Sequence, residues 1–76
     1  MTRPNKATRA RYGAPLTQRE LEVLALLATG ERTVDIAAQL GITPSTTKTH
    51  LTSVYRKTNT RNRVQAARYY LDHHAG

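Results

Sequence analysis

From Leu16 onward the apolar positions recur at intervals of three and four. Leu21, Leu24, Ala25, Leu27 and Ala28 form one stripe, Ile36, Ala37 and Leu40 a second, and Val64, Ala67, Tyr70 and Leu71 a later one. Between them Thr47, Leu51, Val54 and Thr58 share one helical face. This is the period of α-helix, and apolar–polar alternation never persists for four positions outside helical context, so no strand is expected. The spacing predicts an all-α domain over residues 16–73, with helices at about 18–29, 34–40, 44–58 and 63–72.

The residues between the stripes supply starts and stops. Thr17 with Glu20 is a capping box, in which the Thr hydroxyl accepts a backbone N–H and the Glu carboxylate reaches back, and Leu16 and Leu21 lie where a hydrophobic staple needs them. Gly30 and Gly41 suit the left-handed conformation that closes a helix. Thr33 is placed to cap the second helix, with Asp35 favoured in its first turn by the helix dipole. Thr43-Pro44 is an N-cap and N1 pair for the third helix, and Asn59 is a suitable residue to end it. Asn62 with Gln65 reads as a second capping box opening the fourth. The His73-His74-Ala75-Gly76 tail is expected to fray.

Composition then narrows the function. The chain has 76 residues, no cysteine, and twelve Lys and Arg against five Asp and Glu, for a formal charge of +7. One small domain is all that this length allows, and it buries only about 60% of the surface its unfolded chain exposes, so a second subunit would help. Without cysteine there is no disulfide, thiolate metal site or thiol nucleophile. The longest apolar run, Val23 to Ala28, falls far short of the ~20 residues that span a bilayer, and no signal pattern opens the chain. The expectation is a soluble cytoplasmic protein with no membrane partner.

The charge is unevenly placed. Arg3, Lys6, Arg9 and Arg11 stand in the first fifteen residues without an acid, in a stretch with Pro4, Gly13 and Pro15 and no periodicity. Residues 1–15 are therefore expected to form a flexible, disordered basic arm. Over 16–40, Arg19 and Arg32 face Glu20, Glu22, Glu31 and Asp35; beyond 40, six basic residues face Asp72 alone. A basic excess of this kind points to a polyanion.

The second and third stripes flank the turn Gly41-Ile42-Thr43, a helix-turn-helix spacing. The third helix places Ser45, Thr49, Thr52 and Arg56 opposite its inner face, flanked by Thr46, Lys48 and Ser53, with no acid. A major groove admits one helix and offers it base edges and thymine methyls that Lys, Arg and Thr can meet, between phosphates that take hydroxyl and ammonium contacts. A merely solvated helix more often mixes Glu with Lys.

Leu16-Thr17-x-Arg19-Glu20-x-Glu22-Val23-Leu24-x-Leu26, then Gly30, Asp35-Ile36-Ala37-x-x-Leu40-x-Ile42-Thr43, Thr46-x-Lys48-x-His50, Lys57 and Arg63 together resemble the LuxR/FixJ-type DNA-binding domain of bacterial transcription regulators, over about residues 16–72. The resemblance implies a four-helix domain whose third helix enters the major groove of double-stranded DNA, whose second crosses the backbone, and whose fourth pairs with its mate in a homodimer. It implies DNA contacts at Thr46, Lys48, Thr49, His50 and Thr52 and at the basic positions Lys57 and Arg63, which Arg56 joins from its place on the outward face. Tyr69 and Tyr70 suit either the core or a dimer surface, and with Val64, Ala67 and Leu71 they make more apolar surface than one short helix hides, so a dimer surface of Val64, Ala67, Tyr70 and Leu71 is expected. Glu20 is read as a structural cap with a salt link to a basic residue such as Arg63.

Departures from that pattern are Thr47 for the usual valine, Thr58 for the usual leucine, and Thr52 where some members carry a basic side chain. Thr47 can satisfy its hydroxyl on the carbonyl of Thr43, whereas lost volume at 58 costs on the order of 1 kcal/mol. Members commonly carry a receiver or small-ligand domain, and here only the arm precedes the domain. That implies either a stand-alone regulator, with no small-molecule ligand in this chain, or a domain separated from its sensing half.

Two other classes stay open. One is a protein interaction module, for example one contacting RNA polymerase, with a sigma region-four-like domain as a relative whose first three helices look similar. The other is an enzyme, disfavoured because no paired carboxylates, thiol, phosphate loop or metal spacing is present. No cofactor is expected. His73 and His74 are adjacent, point different ways on a helix and lack further ligands, so no metal site is expected.

Overall fold

The computed structural model describes residues 15–73; the arm expected over 1–15, apart from Pro15, and His74 lie outside them. Four helices follow one another, with no strand among the described residues: α1 (Gln18–Ala28), α2 (Thr33–Leu40), α3 (Pro44–Thr58) and α4 (Arg63–His73). The fold is all-α.

Local chemistry explains most boundaries. At α1, Glu20 N–H donates to Thr17 Oγ1 at 3.1 Å and Thr17 N–H donates to Glu20 Oε1 at 2.9 Å, completing the capping box. At the other end Thr29 is the C-cap, one residue inside the expected limit, and its hydroxyl donates to Leu26 O at 2.7 Å. The second helix corrects the expected cap: Arg32, not Thr33, is the N-cap, and no side chain bonds the free N–H groups there. Instead Arg32 Nε reaches Asp35 Oδ2 at 3.3 Å across the first turn, and the helix gains Thr33 as its first residue.

The turn into α3 requires Gly41. Its φ of 70° is left-handed, and the N–H groups of Gly41 and Ile42 return to Ala38 O and Ala37 O. Thr43 then accepts from Thr46 N–H at 3.0 Å, with Pro44 in the first turn. Asn59 ends α3 at φ 57°, and Thr60 N–H closes back on Tyr55 O at 2.9 Å. At α4, Gln65 N–H donates to Asn62 Oδ1 at 2.9 Å, but Gln65 Oε1 accepts from Arg61 N–H, one residue before the donor a capping box would use.

Helix α1 packs against each of the other three and α3 does the same, while α2 and α4 lie apart. The core between them is Val23, Leu24, Leu27, Ile36, Ala37, Leu51, Val54 and Ala66. Val23 and Ala66, both fully buried, lie outside the expected stripes. Every residue from 23 to 28 is apolar, so no polar position marks which face turns inward; the face that does is Glu20, Val23, Leu24 and Leu27, with Leu21, Ala25 and Ala28 half-buried.

Candidate nucleic-acid interface

Helix α3 is held from within by four buried side chains, Thr47, Leu51, Val54 and Thr58. The two threonines are accommodated because each hydroxyl bonds a carbonyl four residues back: Thr47 to Thr43 O at 3.1 Å and Thr58 to Val54 O at 2.7 Å. Thr58 Oγ1 also lies 2.9 Å from Thr60 Oγ1. Neither is an orphaned buried donor, which would cost about 1–3 kcal/mol.

The opposite face is open. Ser45, Thr46, Lys48, Thr49, Thr52 and Arg56 are exposed, with His50 and Ser53 half-buried at its flank. Neither Lys48 nor Arg56 enters an ion pair among the described residues, so both cations are available to a ligand. Thr46 Oγ1 accepts from the Thr43 hydroxyl at 3.0 Å, which leaves its own proton for an outside acceptor.

Two basic residues expected beside the phosphates are committed differently. Lys57 Nζ lies 2.7 Å from Glu20 Oε1 and 3.4 Å from Pro15 O, and tethers the end of α3 to the start of α1. Glu20 thus has the salt link to a basic residue expected of it, with Lys57 as the partner in place of Arg63. Arg63 lies beyond the Asn59 turn and instead donates from Nη2 to the Glu31 carbonyl between α1 and α2. Burial pushes the Glu20 carboxyl up, but the Lys57 hydrogen bond, the Thr17 N–H, the Lys57 charge and the Thr17 hydroxyl outweigh it, leaving the group below its ordinary range.

A second open surface lies on α4. Val64 and Leu71 are 75% and 55% exposed, and with Gln65, Ala67 and Arg68 they line a shallow apolar groove. Tyr70 is half-buried and packs toward the core instead of lining this groove, as does Tyr69, whose ring stacks on His73 at 4.1 Å. Sequence reading did not single out Arg68, although its position four residues after Val64 and three before Leu71 carried the signal.

This helix-turn-helix arrangement has known counterparts. The family described as "Bacterial regulatory proteins, luxR family" matches residues 14–70. The chain belongs to that family. Among relatives, the transcriptional regulatory protein LiaR of Bacillus subtilis is 44% identical over 59 residues, which is 78% of this chain and 28% of that protein. The transcriptional regulatory protein YxjL of the same organism is 48% identical over 52 residues, 68% of this chain and 24% of that protein. The response regulator protein VraR of Staphylococcus aureus is 38% identical over 65 residues, 86% of this chain and 31% of that protein. The chain thus spans about a quarter to a third of the length of these relatives. What it shares with them is the luxR-type helix-turn-helix, a DNA-binding domain of transcription regulators. Among the described residues of this luxR-family domain, no helix is long and apolar enough to cross a membrane.

Proposed function

We propose that this luxR-family domain binds double-stranded DNA with α3 in the major groove, regulates transcription from the bound site, and does so in the cytoplasm as a homodimer joined through α4. The observation that carries the reading is the acid-free outward face of α3, where Lys48 and Arg56 stand without ion-pair partners among hydroxyls while the opposite face is anchored in the core. A helix locked on one side and cationic on the other is a rigid probe for a polyanionic groove.

Thr46, Lys48, Thr49, Thr52 and Arg56 make the contact in this reading, with His50 at its edge. The Arg63 guanidinium holds the α1–α2 loop through one N–H and keeps others for a phosphate. Lys57 positions α3 through Glu20 and contributes its charge at the margin of the site. The dimer surface is Val64, Ala67 and Leu71, which line the α4 groove, with half-buried Tyr70 packing behind it toward the core. The more acidic α1–α2 side, turned to other uses, is the candidate contact for RNA polymerase.

Selection of bound sequences from random duplexes tests this reading. Enrichment of an inverted repeat is the expected result, with affinity falling in salt at a log–log slope of about −0.9 per phosphate neutralised. Recovery of no preferred sequence would leave non-specific binding or a protein interaction module.

A further inference from the structure

We propose that Thr49 and Thr52 read thymine through its C5-methyl group, so that the preferred site carries thymines at neighbouring base pairs beneath the middle of α3. The inference rests on the placement of α3 in the groove and adds which base chemistry that face selects.

Both threonines are exposed on the outward face, yet their hydroxyl protons are already used. Thr49 Oγ1 donates to Ser45 O at 3.2 Å, and Thr52 Oγ1 donates to Lys48 O at 3.0 Å. A threonine hydroxyl has one proton to give. Turned back along the helix, neither residue has a donor for guanine O6 or N7 or for thymine O4; each keeps only its oxygen's acceptor capacity and its γ-methyl for a base. In the major groove the complementary apolar surface is the thymine C5-methyl.

The same back-bonding device sits at both positions, three residues apart. Three residues rise about 4.5 Å along a helix, close to the ~3.4 Å between successive bases of a strand. The two methyls are therefore spaced to meet adjacent base pairs. Thr46 contrasts with them, since its oxygen accepts from Thr43 and its proton stays available, which suits a phosphate oxygen. The cationic donors on this face are Lys48 and Arg56, which bracket the two methyls along the helix.

The test starts from the best duplex recovered by random-duplex selection, remade with deoxyuridine at each thymine in turn, which removes only the methyl. Binding is measured for the native domain and for Thr49→Ser, Thr52→Ser, Thr49→Val and Thr52→Val, with helix content checked by circular dichroism. One or two adjacent deoxyuridine replacements are expected to weaken native binding about fourfold each, the equivalent of one buried methyl. The serine variants should lose a similar factor and show no further loss at the matching deoxyuridine. The valine variants, which keep the methyl and lose the hydroxyl, should keep the deoxyuridine effect of about fourfold. Full deoxyuridine sensitivity in the serine variants, loss of that sensitivity in folded valine variants, or no deoxyuridine effect anywhere would overturn methyl readout while leaving groove binding intact. Failure to enrich any duplex would overturn the placement of α3 and this inference together.

Discussion

Helices α3 and α4 each turn one side to the same core and leave one side open, but the open sides differ in kind. On α3 the outward face exposes hydroxyls, Lys48 and Arg56; on α4 the exposed groups include two large apolar side chains, Val64 and Leu71, which lie beside Arg68. An unpaired cation among hydroxyls is stable in water and gains from an anion, whereas exposed Val and Leu side chains gain from being covered by a like surface. The small core serves both. Helix α1 lies under α3 and α4 together, so whatever fixes α1 fixes the relative placement of the two open faces.

That shared support is where the largest effect is expected. Glu20→Ala removes the carboxylate half of the α1 capping box and leaves Lys57 without its partner, and should destabilise the domain by about 3 kcal/mol in urea unfolding, degrading both faces at once. Because the Glu20 carboxyl lies below its ordinary range, the stability it contributes is complete above that range and is lost as pH falls through the lowered value. Unfolding followed over an acidic pH series should show this loss in the native domain and a shallower one in Glu20→Gln; identical slopes would contradict the role of the pair.

Next in size come the changes that separate the two faces. Lys48→Ala should weaken duplex binding by about 2 kcal/mol and leave thermal stability unchanged, since Lys48 is exposed and unpaired. Replacement of Leu71 by Glu should act in the complementary way, at about 1.5 kcal/mol, on association and on binding to paired half-sites, with single half-sites bound as before. Sedimentation together with gel shifts on both kinds of site reads that difference. If Leu71→Glu lowered binding to single half-sites as much, the division of labour between α3 and α4 would be lost.

The smallest effect is expected at Arg32. Its ion pair with Asp35, at 3.3 Å and with the Arg32 side chain 78% exposed, is a surface contact, and Arg32→Ala should change stability by less than about 0.5 kcal/mol.

What was legible in the chain was local. The Thr17–Glu20 box, the left-handed Gly41 and Asn59, and the two faces of α3 all depend on residues within a turn or two of one another. The rest depends on the fold. Lys57 and Glu20 are 37 positions apart, and nothing within α3 indicates that Lys57 points at α1 while Arg63 goes to the Glu31 carbonyl. The continuous apolar run of α1 hid the inward role of Val23, and the mixed polarity of α4 hid that of Ala66. Of the candidate site, the polar face was readable from spacing; which hydroxyl protons were already spent, at Thr49 and Thr52, was not.

The central claim is that the outward face of α3 is the DNA-contacting surface, and amide chemical-shift mapping of the isotope-labelled domain against a short duplex tests it most directly. The largest changes should fall on residues 45–56, above all Thr46, Lys48, Thr49, Thr52 and Arg56, with a smaller one at Arg63 and, on a duplex that holds a single half-site, little over the rest of α4. Changes concentrated on α1 or α4, with α3 unmoved, would contradict it.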